Sequence, residues 1–331
     1  MTMQRRQIIL ASLGGAALAA PLPSMVTAAQ PPLVWRERHM FGLGTQLSLR
    51  AAHTDVQAVD VGLDAAVAAI RRVEASMSLY REDSELVRLN QQGFLDQPSA
   101  DFLAVLGTAQ MVAERSGGQF DATVQPVWQA WADATRQGRL PSAAALAEAR
   151  QRTGWQHVVV SDQRVAFQRP GMAMTFNGIA QGYAADAARK ALQDHGVAHA
   201  LIDTGEHASL GQSPRGTAWT LGVEDPRDEQ RLLAAIRSDG RAVATSADNR
   251  SSFSADHRHH HIFDPATADS PSGLSSVTVL APSAMLADAL TKVMFVSGPE
   301  RIPALARQWQ VGVLWVDKKG HWAATSDVAL V

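Results

Sequence analysis

The stretch Met174-Thr175-Phe176-Asn177-Gly178-Ile179-Ala180-Gln181-Gly182-Tyr183-Ala184-Ala185-Asp186 constrains this chain more than any other. It reads as a strand end, a tight turn containing Gly178, and a helix start. The helix is expected from about Gln181 to His195, with Ala184, Ala188, Ala191 and Leu192 as its buried stripe. Gly196 then stands where a left-handed C-terminal residue is wanted. A helix opening after a glycine turn offers free backbone N–H groups and the positive end of a dipole to an anion. Two readings stay open on these residues: a phosphate site, or a plain strand-to-helix crossover. The wording is neither GxGxxG nor Walker A.

With 331 residues, one large or two ordinary domains fit around this stretch. A net charge of −2 gives no basic field of the kind nucleic-acid binding needs. Cysteine is absent, which excludes disulfides, Cys-ligated zinc, thiol nucleophiles and lipid attachment at a cysteine. Arg5-Arg6 precede an apolar run from Ile8 to Ala20 that is too short to span a bilayer. Small residues around Val26-Thr27-Ala28 suit cleavage. Residues 1–29 therefore read as an export signal, either twin-arginine-like or an ordinary Sec signal. Residues 30–331 are expected to form the working domain, outside the cytoplasm and with no membrane span.

Leu33 to Arg50 reads as a hairpin turning at Gly42, Gly44 and Thr45. Asp55 to Met77 reads as a long helix, with Val59, Leu63, Ile70 and Val73 at helical spacing. A short helix capped by Asp83 or Ser84 follows, then a helix from about Ala100 to Arg115 ending at Gly117-Gly118. Gln119 to Val124 reads as a loop leading to Pro126 and the Trp128/Trp131 pair. Pro141 opens a helix to about Arg152. Strands are expected at 155–160, 164–168, 198–203, 218–223, 232–237, 242–246, 275–280 and 311–316. Asp248 to His261 reads as a polar loop. Helices are expected at 283–296 and 299–308. Strands and helices mix without βα alternation, which predicts an α+β fold with mixed, largely antiparallel sheets and flanking helices.

Three residue groups carry candidate chemistry. His257-Arg258-His259-His260-His261 is either a solvated loop or a source of a metal ligand or base; its spacing fits no ordered zinc motif. His261 differs from its neighbours, because it leads into Ile262-Phe263-Asp264-Pro265 and so stands at a strand edge. Asp288 lies in an apolar helix and needs a partner, either Lys292 four residues on or a hard cation such as Mg²⁺. The two tyrosines, Tyr80 and Tyr183, stand at turn or helix edges, either packed in the core or able to stack on a flat ligand.

Laid side by side, these segments resemble the ApbE family, the FAD:protein FMN transferases, over nearly all of the chain after the signal. Leu43-Gly44-Thr45 resembles the family's Met-Gly-Thr. Ser78-Leu79-Tyr80 with Asp83 to Leu86 and Leu89-Asn90 resembles its Ser-x-Tyr…Ser-Glu-Leu…Leu-Asn. Gly117 to Pro126 resembles Gly-Gly-x-Phe-Asp-Pro-Thr-Val-x-Pro, with Ala122 for the first proline. The 174–186 stretch resembles Asp-Leu-Gly-Gly-Ile-Ala-Lys-Gly-Tyr-Ala-x-Asp. Ala244-Thr245-Ser246, His261 to Thr267 and Ala287 to Leu290 complete the set in the family's order.

The resemblance implies an ApbE-like fold, and it implies that FMN passes from FAD to a threonine hydroxyl of an acceptor protein, with release of AMP and Mg²⁺ as the usual metal. It implies an FAD site lined by Leu43, Tyr80, Gln119, Phe120, Asp121, Thr175, Gln181 and Ile262. It makes His261 the catalytic histidine, and Asp288 and the Gly178 carbonyl metal ligands. The electropositive phosphate cradle would come from the turn at Gly178 and the helix start. The acceptor would be membrane-bound or periplasmic. Thr175, Asn177 and Gln181 depart from the family wording, and Glu206 stands where Gly-Gly is common. With Gly205 they resemble the branch associated with nitrous oxide reductase maturation. Lys292 occupies the position of the family's metal-binding threonine hydroxyl, and Thr291, turned by about 100° on the helix, does not replace it. An ammonium there would repel a cation and stand in for it. The alternatives are an exported flavin-binding protein that has lost its metal site and its transfer activity, and a His-rich periplasmic metal carrier.

Overall fold

The computed structural model describes residues 31–331, so the export signal expected at residues 1–29 lies outside the described residues. Strands β1 (Val34–Gly42) and β2 (Thr45–His53) form the expected hairpin. Its two-residue turn has φ of 50° at Leu43 and 82° at Gly44, the double positive φ that a primed hairpin turn requires. The Leu43 N–H donates to Glu74 Oε1 at 2.9 Å, which ties the turn to helix α1 (Val56–Met77). Asp55 caps α1 by accepting from the Gln57 N–H, and Val59, Leu63, Ile70, Val73 and Met77 are buried along one face.

Helix α2 (Glu85–Gln92) starts at its cap Ser84 and stops at Gly93 in the left-handed conformation, leading into the short strand β3 (Phe94–Asp96). Ser99 caps α3 (Ala100–Ser116), which ends at Gly117. Helix α4 (Gln125–Arg136) follows where the sequence reading has only a loop and a tryptophan pair. Its cap position is Val124, with no side-chain hydrogen bond, so the N-cap signal is missing and Pro126 in the first turn marks the start alone. Ser142 caps α5 (Ala143–Gln151). A 3-10 turn at Trp155–His157 replaces the first half of the expected strand, leaving β4 (Val158–Val160) and β5 (Arg164–Phe167).

Helix α6 (Ala180–Asp194) is the helix expected after Gly178. Its buried face is Ala180, Gly182, Ala184, Ala185, Ala188 and Leu192, whereas Ala191 is half-buried. No strand end precedes it. Instead the Asn90 side chain pairs with residue 174 as a strand partner would: its Oδ1 accepts from the Met174 N–H at 2.7 Å, and its Nδ2 donates to the Met174 carbonyl at 2.8 Å. The Thr175 N–H donates to the Ala122 carbonyl at 2.8 Å. One amide side chain therefore does locally what a neighbouring strand does elsewhere.

The second half supplies β6 (His199–Asp203), β7 (His207–Leu210), β8 (Thr220–Asp225), β9 (Asp228–Arg237), β10 (Ala242–Ala247) and β11 (Leu274–Ala281). Helices α7 (Ala284–Ser297) and α8 (Ile302–Trp309) and strands β12 (Gly312–Asp317) and β13 (Trp322–Ala324) close the chain. Strand β7 has only four residues, too few to show a period in the sequence. One sheet runs β1-β2-β6-β7-β10-β11-β12-β13, with separate β3-β5-β4 and β8-β9 sheets. All named pairings are antiparallel, and the fold is α+β.

Helices α1, α6 and α7 belong to the main core cluster with the large sheet. Leu221, Val223 and Ile236 of β8-β9 pack with Val243, Leu280, Leu314 and Val316 in a second cluster. Strand β11 is covered from both directions, so all eight of its residues are buried. Helices α6 and α7 meet at Gly182. A Cβ there would lie 2.2 Å from the Ala284 carbonyl oxygen, so only glycine permits this approach. Asp186 of α6 accepts from the Ala284 and Met285 N–H groups at 3.0 and 2.9 Å, adding a carboxylate to the N-terminus of α7.

Candidate active site

A cleft of about 890 Å³ opens between the start of α6, the 119–125 loop, the β8-β9 hairpin and the histidine loop. Tyr80, Gln119, Phe120, Asp121, Thr175, Gly178, Gln181, His261, Ile262 and Lys292 all line it. Segments far apart in sequence thus converge on one space. Leu43 is not among the lining residues: it packs against the main core, and its neighbours Gly44 and Thr45 face the cleft instead. Tyr183 also lies elsewhere. Its hydroxyl donates to Asp101 Oδ1 at 2.6 Å, and burial together with that carboxylate raises its pKa. Tyr80 is 77% exposed at the cleft, which leaves its ring free to cover a flat ligand.

The 119–125 loop is shaped by Asp121. Its Oδ1 accepts from the Thr123 N–H and hydroxyl at 2.8 and 2.6 Å, and its Oδ2 accepts from the Trp155 N–H at 3.0 Å. Burial pushes this carboxyl up, and those donors pull it back. The residue lines the cleft while tying its own loop to the Trp155 turn. Gln119 Oε1 accepts from Ser297 Oγ at 2.7 Å, which leaves its amide N–H groups for other partners.

The histidine loop is pinned by Asp248, which is wholly buried. Arg227 donates to both of its carboxylate oxygens, at 2.6 and 2.7 Å, and Lys318 donates at 2.6 Å. Burial opposes that charge, but the two cations keep the Asp248 carboxyl below its ordinary value. Within the loop the rings have separate tasks. His257 Nδ1 meets Ser252 Oγ at 2.8 Å, and His259 pairs with Asp269 at 3.0 Å while stacking on Trp131. His260 is wholly buried, with Nε2 donating to the Pro271 carbonyl.

His261 is the histidine of this run that lines the cleft. It lies in no named strand; it follows the isolated Ser252–His260 bridge. Its backbone N–H and its Nδ1 both meet the Ser251 carbonyl, at 2.9 and 3.2 Å. A carbonyl only accepts, so Nδ1 carries the hydrogen and Nε2 keeps the lone pair. Burial, reinforced by the Lys292 charge, lowers the His261 pKa to about 4, while the Ser251 carbonyl acts in the opposite sense. At neutral pH this ring is a neutral, oriented proton acceptor.

At the floor of the cleft lies a charged cluster. Lys292 Nζ donates to Asp288 Oδ1, and Asp288 Oδ2 accepts from the Gly182 N–H at 3.2 Å. Asp288 is wholly buried. Glu206 is 5% exposed, and its Oε2 accepts from the Thr245 N–H at 3.0 Å. Burial and then the Asp288 charge push the Glu206 carboxyl well up, against the pull of Lys292. In sequence Glu206 stands out only as a departure from Gly-Gly, because Thr245, which bonds it, is 39 positions on, and Asp288 and Lys292 lie further still. Thr291 turns away from the cleft: its hydroxyl donates to the Asp288 carbonyl and meets Ser246 Oγ at 2.7 Å.

Comparisons with known proteins identify the family and the fold. The sequence model of the ApbE family matches residues 43–315. The chain belongs to the ApbE family. Its similarity to the FAD:protein FMN transferase of Vibrio cholerae is 32% identity over 257 residues, 75% of this chain and 77% of that protein. Among solved structures, the flavin transferase ApbE from Vibrio cholerae superposes with a TM-score of 0.78 at 27% identity, covering 89% of this chain and 98% of that one. The ApbE protein from Thermotoga maritima gives 0.80 at 27% identity, covering 88% and 97%.

Within this ApbE chain the donor set does not fit Mg²⁺. That ion demands near-octahedral oxygen donors. Both Asp288 oxygens are committed, one to a backbone N–H and one to an ammonium, and the ammonium itself stands at the carboxylate. Among the described residues no three His, Cys, Asp or Glu side chains gather as a metal site. The anion cradle expected at the start of α6 is also largely used internally. The Ile179 and Ala180 N–H groups donate to the Phe176 carbonyl, the Asn177 N–H to Thr175 Oγ1, and the Gly182 N–H to Asp288.

Proposed function

We propose that this chain transfers FMN from FAD to a threonine hydroxyl of an acceptor protein, releasing AMP, and that it does so outside the cytoplasm. The chain is an FAD:protein FMN transferase by family. The observation that supports the chemistry is His261, a neutral base clamped by Ser251 inside the cleft. In the reaction the threonine oxygen attacks the phosphorus on the FMN side of the diphosphate. A new O–P bond forms, the P–O bond to the AMP phosphate breaks, and AMP leaves with the bonding pair. Nε2 of His261 takes the threonine proton. Tyr80 and Phe120 offer faces for the flavin and adenine rings. The acceptor is read as a membrane-bound or periplasmic protein, in keeping with the export signal expected at residues 1–29. Among the described residues no helix is long and apolar enough to cross a membrane.

The reading requires FAD binding first. Titrating the protein into FAD should quench flavin fluorescence with saturation at micromolar protein, about the range of ordinary enzyme–substrate affinities. Tyr80→Ala should weaken that binding by about 3- to 10-fold, the worth of one stacked aromatic pair. Absence of quenching at any accessible concentration would remove the assignment.

A further inference from the structure

Lys292 carries an inference that rests on the flavin-transfer reading and deepens it. Its stem runs across the Gly178 turn: a Cβ built on Gly178 would lie 3.1 Å from Lys292 Cε and 3.5 Å from Cδ. Its ammonium meets Asp288 twice, at Oδ1 and at the carbonyl oxygen 3.2 Å away. An ammonium has three N–H donors, so one remains for a further partner. Lys292 lines the cleft and Asp288 does not. A diphosphate entering the cleft therefore meets the ammonium, with the carboxylate behind it.

The other source of positive charge has been diverted. The Gly182 N–H, in the first turn of α6, is bonded to Asp288 Oδ2, so a carboxylate of the chain already occupies part of that helix terminus. Asp288 thus bridges two positive features, the helix start and the Lys292 ammonium, and fixes the second against the turn. Glu206, its Oε2 held by the Thr245 N–H, lines the same floor and completes a cluster of two carboxyl groups and one ammonium. Displacing Lys292 to admit a divalent ion would strand a partly buried cation and undo the Asp288 pair.

We infer that Lys292 is the resident cation of the phosphate site, held in place by Asp288, so that this chain binds FAD and positions its diphosphate without a divalent metal. A lysine is a compact point charge suited to phosphate oxygens. It leaves the phosphorus open to in-line attack while neutralising charge on the leaving AMP.

The test measures FAD affinity by fluorescence quenching and AMP release by chromatography, each with excess Mg²⁺ and with EDTA. Mn²⁺ binding is followed separately by the loss of its free-ion electron paramagnetic resonance signal. The natural protein should bind FAD equally in both media, within about twofold, and should bind no Mn²⁺ at the site. Lys292→Met, which keeps the stem and removes the charge, should weaken FAD binding by about 10- to 100-fold in both media, the worth of a hydrogen bond to a charged group. Lys292→Thr should show the same loss in EDTA, recover in Mg²⁺, and bind one Mn²⁺. Circular dichroism checks that each variant is folded; if either is not, the natural protein's own EDTA and Mn²⁺ results decide. Loss of FAD binding or AMP release by the natural protein in EDTA would overturn the inference while leaving the flavin-transfer reading intact. So would a bound Mn²⁺ that Asp288→Asn removes. Failure to bind FAD in either medium would overturn both.

Discussion

Replacing His261 with alanine is expected to slow flavin transfer by about 10²- to 10⁴-fold, the usual effect of losing a general base, while FAD binding changes little. The expectation follows from the position of one hydrogen. Ser251 offers only a carbonyl oxygen, so Nδ1 must donate to it and Nε2 must accept. The same environment sets the pH response. Burial and the Lys292 charge lower the His261 pKa to about 4. A base works only when unprotonated, so transfer should rise as pH increases through about 4 and then stay level to neutrality. A histidine at its ordinary value would instead give a rise centred near pH 6.5. Single-turnover rates across that range distinguish the two. His257→Ala is the appropriate comparator and should transfer normally. His259 and His260 are poor comparators, because one stacks on Trp131 and the other is wholly buried. A natural rate in His261→Ala would contradict the assignment.

The second large effect is on stability. Asp288→Ala should lower the unfolding free energy by about 3 kcal/mol, measured by urea denaturation in EDTA. Removing one partner of a buried ion pair typically costs about 3–5 kcal/mol, because the other charge is left uncompensated. The lower end applies because the Lys292 side chain keeps 19% of its surface and can turn toward solvent. The Gly182 N–H also loses its acceptor at a point where no water can easily replace it, since α6 and α7 approach closely there. A carboxylate present only to bind a metal would behave in the opposite way: without metal, its removal would leave stability unchanged or improved. That outcome would show that the Lys292–Asp288 pair does not hold the cleft floor together.

The parts of this molecule that could be read from sequence are those where local signals agree. Helix α1 has its cap Asp55, a complete apolar stripe and a clear end, and α6 has its alanine face and Gly196. Most of the cleft was legible too, because Tyr80, Phe120, Gln181 and His261 each sit in a recognisable segment. What escaped depends on contacts between distant residues. Helix α4 lacks a side-chain cap at Val124, and Pro126 in its first turn is the one start signal it carries. The Met174 backbone looks strand-like because Asn90, 84 positions away, satisfies it. Leu43 occupies the turn of a family motif, yet it points into the core while its neighbours face the cleft. Spacing alone places Lys292 beside Asp288, but not its stem across Gly178 or the proximity of Glu206.

The central claim is covalent flavin transfer, and it is tested most directly by mass. The protein is incubated with FAD and a threonine-containing acceptor peptide, and the peptide is then examined by intact and fragment mass spectrometry. The account predicts a peptide carrying one FMN through a phosphodiester to the threonine oxygen, with AMP released in equal amount. It also predicts that neither product forms with His261→Ala on the same timescale. Saturable FAD binding with no flavinylated peptide and no AMP, across acceptors that a relative such as the Vibrio cholerae enzyme modifies under the same conditions, would contradict it and leave a flavin-binding protein without transfer activity.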